Sequence, residues 1–194
     1  MWRANRQSST SGISSRNSLH ALQAERGTAL KPMPIRQWRT LYLVAWIIWL
    51  CDLGTKVWAQ NALSSSANVK VLGSFLQFTY IRNSGAAFSF GTGGTIFFSF
   101  FAIAVLLFIV KFAPTITSKG WALVGGLLLG GILGNLSDRI FRSPGFLRGY
   151  VIDWIQLPHW PVFNIADSAI VIAACTATLL SFKNIPPTHP TKVI

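Results

Sequence analysis

Four stretches of this chain are each apolar over close to the length that a helix needs to cross a bilayer. The first, residues 41–59, runs through "LYLVAWIIWL" without interruption until Asp52 and Lys56. The second, 95–113, contains "IFFSFFAIAVLLFIVKF" and stops before Pro114, while the third and fourth cover 121–140 and 163–182. A hydrocarbon core about 30 Å thick takes ~20 residues of helix, and lipid offers the backbone no hydrogen bonds, so stretches of this kind have to be helical. The composition agrees: 51% hydrophobic and 11% charged residues is a balance foreign to a soluble globule of 194 residues. The fold class that follows is an all-α integral membrane protein with four transmembrane helices.

Seventeen Lys and Arg stand against five Asp and Glu. Nucleic-acid-binding proteins share such a surplus, but its distribution here argues against nucleic acid as a partner. Arg3, Arg6, Arg16, Arg26, Lys31, Arg36 and Arg39 all precede Thr40, as the positive-inside rule expects of a cytoplasmic flank. An even number of spans returns the carboxyl terminus, with Lys183 and Lys192, to the same side, where the short second connection carries Lys111 and Lys119. Residues 1–38, rich in Ser and Arg, are expected to be a disordered cytoplasmic tail, with a transit peptide as the alternative. Residues 39–183 form the membrane domain and 184–194 a second cytoplasmic tail. Cys51 and Cys175 fall inside spans without metal-ligand or redox spacing and read as small apolar residues.

The five acids are Glu25, Asp52, Asp138, Asp153 and Asp167. Asp52 lies twelve residues beyond Thr40, roughly 18 Å along an outward-running helix and past the midplane. Asp138 comes near the outer end of the third span, Asp153 in the following connection, and Asp167 where the fourth span re-enters. All four aspartates therefore gather at the outer surface, and ionisable groups at such depth ordinarily face a functional interior. Each also has a purely structural reading: Asp52 paired with Lys56 at i, i+4, Asp138 with Arg139 or Arg142, and Asp167 as a helix amino-terminal acid. Gly126, Gly130 and Gly134 form a small-residue row on the third span, and Asp138 is the next position on it, which turns Asp138 toward another helix. Asn135 precedes Asp138, and Asn164 precedes Asp167, by three residues, placing amide and carboxylate on one helical face.

"DLGTK" (52–56), "RNSGAAFSF" (82–90), "GNLSDR" (134–139), "YVIDWI" (150–155) and "FNIADSAI" (163–170) occur in an order that resembles the lipoprotein signal peptidases, the type II signal peptidases of bacteria. The resemblance covers about residues 40–182. It implies four transmembrane helices carrying a small extracytoplasmic β-cradle, for which "NVKVLGSFLQFTYIRN" has suitable β-branched and aromatic residues. It also implies an aspartic endopeptidase of the bacterial cytoplasmic (inner) membrane that cuts diacylglyceryl-modified prolipoproteins before the lipid-bearing cysteine. Carried over by motif, Asp153 and Asp167 are the catalytic pair. Asp52, Lys56, Asn83, Gly85, Asn135, Asp138, Arg139, Asn164 and Ala166 support the site or bind substrate. Leu53 stands where the family usually has Gln. The connection from Asp138 to Asp153 is longer, and that from Asp153 to Asp167 shorter, than usual, which leaves Asp138 as the alternative partner of Asp167.

Two like carboxyls at a low-dielectric boundary cannot both ionise cheaply, so one keeps a proton and can act as acid while the other acts as base. No cofactor or metal is expected. There is no H-E-x-x-H; of His20, His159 and His189 none lies within a span, and His159 sits with Trp154 and Trp160 in an aromatic belt. Ser84, Ser137 and Ser168 have no obvious activating base. A transporter would need ionisable groups across the whole membrane, which the inner halves of the spans lack; a non-catalytic assembly protein is the third reading. Partners are lipidated prolipoproteins and membrane lipids, and the chain is expected to be a monomer. A reporter active only outside the cytoplasm is expected to work when fused after Lys70 and to be silent after Lys192; the opposite pattern inverts the placement of every aspartate.

Overall fold

The structure, a computed structural model, describes residues 36–65, 68–85 and 91–188. The expected amino-terminal tail through residue 35, residues 86–90 of "RNSGAAFSF" and residues 189–194 with His189 and Lys192 lie outside the described residues. In chain order the elements are α1 (Trp38–Leu63), β1 (Val69–Leu72), β2 (Leu76–Asn83), α2 (Gly91–Phe112), a 3-10 turn (Ala113–Thr115), α3 (Lys119–Phe141), β3 (Val151–Gln156) and α4 (Ile165–Phe182). All four helices are long and apolar enough to cross a membrane. Pro114 ends α2 because it lacks the amide hydrogen the next turn requires. α4 starts two residues later than its hydrophobic run, because Phe163 is held in a bridge to Ile155 and Asn164 serves as the N-cap.

α3 is the central element. Of its span, 56% is buried, against 17–22% for the others. Its glycines explain this. A Cβ at Gly126 would lie 2.7 Å from the carbonyl oxygen of Leu41, and one at Gly130 2.7 Å from that of Ala45, so the predicted small-residue row is where α1 lies directly on α3. Gly131 performs the same service toward α4, where a Cβ would come within 2.6 Å of the Ala166 carbonyl. The face α1 turns inward reads Leu41, Ala45, Asp52, Lys56, Ala59 and Leu63, a single helical stripe that is apolar except at its middle. Outward, Trp46, Leu50, Phe100, Phe101, Leu107 and Phe108 are each more than half exposed, an apolar surface suited to lipid.

At one end of the bundle the three strands form an antiparallel sheet in the order β1-β2-β3. β1 and β2 fall within the predicted cradle segment. β3 was expected only as a connection, and it is a strand because Val151, Ile152, Trp154 and Ile155 supply the β-branched and aromatic side chains that favour one. Arg82 pairs with Ile152 and Ile81 with Asp153, so alternation puts Asn83 and Asp153 on one face and Tyr80, Arg82, Ile152 and Trp154 on the other. The second face packs on Ala59 and Leu63 of α1. Trp154 is consequently not part of an exposed belt. Its ring centroid lies 5.3 Å from Trp58 and 5.1 Å from Phe78, and strand pairing is what turns it inward. Trp160 does remain exposed.

Gly130→Ala is expected to lower the melting temperature of the purified protein, corresponding to about 1–3 kcal/mol of overpacking, because the new methyl meets backbone that cannot yield. Gly54→Ala, on α1 with nothing within 4 Å, is the control and should leave stability unchanged or slightly raised. Equal melting of the two variants would remove close backbone approach as the reason for the row.

Candidate active site

Where the sheet meets the bundle, α1 and α3 are about to end and α4 begins. The first amides of α4 need acceptors, as do those of any helix. Two come from polar residues that the sequence placed in apolar surroundings. Asn164 caps the helix, accepting from Asp167 N at 2.9 Å, while Asp167 Oδ2 accepts from Asn164 N at 3.2 Å, a reciprocal capping box. The amide of Ala166 donates to Asp52 Oδ1 at 2.9 Å, across from α1. Asp52 reaches that far because the facing residue on α3 is Gly134; any Cβ there would run into Asp52 Oδ2.

Lys56 is fully buried, one turn beyond Asp52. Its ammonium has three donors and three acceptors: Asp52 Oδ2 at 2.7 Å, Asp138 Oδ2 at 3.0 Å and Asn135 Oδ1 at 2.9 Å. The i, i+4 pairing of Asp52 with Lys56 is thus present, within a larger network. Asp138 pairs with Arg142 rather than Arg139, and its Oδ2 also accepts from Ile152 N at 3.1 Å. Both oxygens of Asp138 are therefore committed to holding helix and strand. Gln60, next on the same stripe of α1, accepts from Arg142 Nη1 at 2.5 Å. Gln60 escaped the sequence reading although the polar i+4 series Asp52, Lys56, Gln60 in an apolar helix was a usable signal.

The two amides do not orient the carboxylates of their own motifs, as one shared helical face had suggested. Asn135 Nδ2 donates to Asp167 Oδ1 at 2.7 Å, and Asn164 Nδ2 donates to Asp153 Oδ1 at 2.6 Å. The reason is that Asn164 is extended as N-cap, outside the helix, so its amide swings to β3. Asn83 Nδ2 on β2 holds the other oxygen of Asp153 at 2.8 Å, and Gly85 N in turn fixes Asn83 Oδ1 at 2.8 Å. Gly85 has a positive φ of 82°, and a Cβ there would approach Arg139 Nη2 at 3.4 Å. Asp153 and Asp167 are thereby held by one residue, Asn164, the first through its side-chain amide and the second through its backbone N–H, while Asp138 and Asp52 stay fastened to Lys56.

Asp153 is 2% exposed. Burial pushes its carboxyl up to about 6, the nearby charge of Asp167 adds to the rise, and the Asn83 and Asn164 amides and Lys56 offset part of it. Asp167 is half-buried. Beside the pair a cavity of about 490 Å³ runs between α2, α3 and α4, with Phe98, Phe101, Leu128 and Ile132 as apolar walls and Asn135 and Arg139 at its polar end. Arg139 Nη1 is buried without a hydrogen-bond partner. Ser137 and Ser168 hydroxyls donate to the carbonyls of Leu133 and Asn164, and His159 is exposed in a turn away from these groups. Leu53 is exposed on α1. No group of three metal-ligating side chains exists among the described residues.

A family model described as Signal peptidase (SPase) II matches residues 44–183. A lipoprotein signal peptidase of Streptomyces coelicolor is 45% identical over 152 residues, 78% of this chain and 74% of that protein. One from Leifsonia xyli is 47% identical over 146 residues, 75% of this chain and 68% of that one. Two solved bacterial membrane enzymes share the fold with TM-scores of 0.66 and 0.67 at 27% and 29% identity, covering 80% and 75% of this chain and 94% of each of theirs.

A carboxyl whose pKa is higher folded than unfolded gains protons on folding, so its contribution to stability is complete below about 3.8 and is lost as pH rises through about 6. Melting of the wild-type protein in neutral detergent is expected to lose of order 2 kcal/mol between about pH 4 and pH 7 relative to Asp153→Asn. Parallel pH curves for the two proteins would place the raised pKa elsewhere.

Proposed function

The chain belongs to the signal peptidase II family, and from that premise we propose that it is an aspartic endopeptidase that removes the signal peptide from diacylglyceryl-modified prolipoproteins, cutting before the lipid-bearing cysteine. The observation that carries the reading is the joining of Asp153 and Asp167 through the Asn164 side chain and backbone amide, beside an apolar cavity lined by Asn83 and Asn135, which donate to the two carboxyls. Two carboxyls held this way, one buried with its pKa raised and one more open, meet the unequal demands of acid and base.

Asp167, ionised, takes a proton from a water molecule as its oxygen bonds to the scissile carbonyl carbon. Asp153, protonated, donates to the carbonyl oxygen. As the tetrahedral intermediate collapses, the carbon–nitrogen bond breaks, the proton on Asp167 passes to the leaving amine, and Asp153 recovers its own from the collapsing hydroxyl. The pair then stands as it began. Because the two groups interact, the profile they give belongs to the pair. Arg139, with an unengaged buried N–H at the cavity's polar end, is placed to hold a backbone carbonyl of the substrate.

A cavity with apolar walls opening on a polar end suits a signal helix and acyl chains that stay in the bilayer while the scissile bond meets the carboxyls. The basic amino-terminal flank supports a placement in the bacterial cytoplasmic membrane with both termini inside and the site at the outer face. One chain supplies both carboxyls and the cavity, which supports action as a monomer.

Incubation of the detergent-purified protein with a lipidated prolipoprotein is expected to give a mass loss equal to the signal peptide, with little cleavage of the unlipidated precursor. Asp153→Asn and Asp167→Asn should each reduce turnover by about 10³-fold or more, with the double variant little worse than either. Asp138→Asn should instead lower the melting temperature, since it removes the carboxylate paired with Arg142 and one of the two on Lys56. A folded, inactive Asp138→Asn beside an active Asp153→Asn would exchange the roles of the two residues.

A further inference from the structure

A second cavity, of about 230 Å³, lies against the face of the sheet opposite to Asp153. Tyr80 and Arg82 of β2, Gln60 of α1, and Arg142, Ser143 and Tyr150 on either side of the α3–β3 connection line it. Its orientation follows from strand pairing: Arg82 is paired with Ile152, so both point away from the neighbouring Asp153. The Asp153 carboxyl and this cavity are on the two sides of one strand pair.

The charges around it are unbalanced. Arg142 is paired with Asp138, and Lys56 is shared between Asp138 and Asp52, which together make a neutral set. Arg82 has no carboxylate partner among the described residues; its Nε donates to the Tyr80 hydroxyl at 3.2 Å, and its guanidinium sits 5.8 Å from the Tyr80 ring centre. No carboxylate lines the cavity. Its wall includes Phe141, the last residue of the α3 span, which is 83% exposed, and Phe146 in the adjoining connection is 72% exposed. The end of the span at Phe141 puts the cavity at the border between acyl chains and head groups.

We propose that this cavity holds the phosphate of an anionic phospholipid head group, with Phe141 and Phe146 entering the acyl region beside it. The guanidinium fork of Arg82 and the hydroxyls of Tyr150 and Ser143 offer planar and single donors to phosphate oxygens. The absence of any lining carboxylate leaves nothing to receive the amine of a zwitterionic head group, which selects the anionic class. Basic pockets at the ends of transmembrane helices are suited to this use. The bound lipid contacts the segment that carries Arg142 and, through Asp138, the amide of Ile152, so it braces β3 from behind.

The test is binding, read independently of peptidase activity. Protein in neutral detergent is titrated with a phosphatidylglycerol, with a diacylglycerol bearing the same chains, and with inorganic phosphate, following the melting temperature. Phosphatidylglycerol is expected to give a saturable rise that diacylglycerol does not give. Arg82→Gln should weaken the apparent affinity about tenfold, as loss of a charge-assisted donor does. Should Arg82→Gln already melt differently without lipid, Tyr150→Phe serves instead, with about threefold weakening expected from one lost hydrogen bond. An equal rise with diacylglycerol, or unchanged affinity in the variant used, overturns the site. Saturation by inorganic phosphate with no advantage for the lipid overturns the lipid source.

Discussion

An ammonium ion shut away from water has to find as many acceptors as it has hydrogens, because its desolvation amounts to several kcal/mol even after relaxation. Lys56 finds three, and each belongs to a group with a second task. Asp52 uses its other oxygen on the amide of Ala166, which fixes the start of α4. Asp138 holds the amide of Ile152, which fixes β3, and Asn135 passes its amide hydrogen to Asp167. One cation therefore links α1 and α3 directly and reaches α4 and β3 through single side chains. Removing it would leave two buried carboxylates facing each other, a loss of about 3–5 kcal/mol on the usual scale for a broken buried pair.

The same geometry divides the aspartates by the partners they hold. Those on Lys56 are neutralised, and both oxygens of Asp138 are occupied by cations or backbone. Asp153 and Asp167 instead receive only amide hydrogens, and burial, with the Asp167 charge adding to it, raises the Asp153 carboxyl. Because Asn164 both caps α4 and bonds Asp153, the start of a helix and the position of a strand residue are set by one side chain. The crossed amides hold the pair more firmly than amides on the carboxylates' own elements could, since each bond spans two elements.

Packing is uneven around the bundle. α3 is bound tightly to α1 and α4 by glycine on both sides, whereas α2, the most apolar span with a mean hydropathy of 2.6, carries large Phe and Leu side chains outward. Between α2 and its neighbours lie the cavity beside Asp153 and, on its other flank, an apolar one of about 300 Å³ bounded by Trp46, Trp49 and Leu106. A helix held mainly by dispersion contacts can leave such spaces at little loss, because lipid tails fill them as well as side chains do.

Much of this was legible in the sequence. Long apolar runs dictate helices, the Gly126, Gly130, Gly134 row dictates close approach, and the scarcity of carboxylates makes the gathering of Asp52, Asp138, Asp153 and Asp167 visible along the chain. Local spacing likewise gave the Asp52–Lys56 pair and the acid in the first turn of α4. Tertiary structure alone decided which amide serves which carboxylate, that Arg142 rather than Arg139 pairs with Asp138, that Trp154 is buried, and that β3 joins the sheet. Those outcomes depend on strand pairing and on the extended backbone of Asn164, which set direction in space between residues far apart in the chain; periodicity along one segment carries no information about that direction.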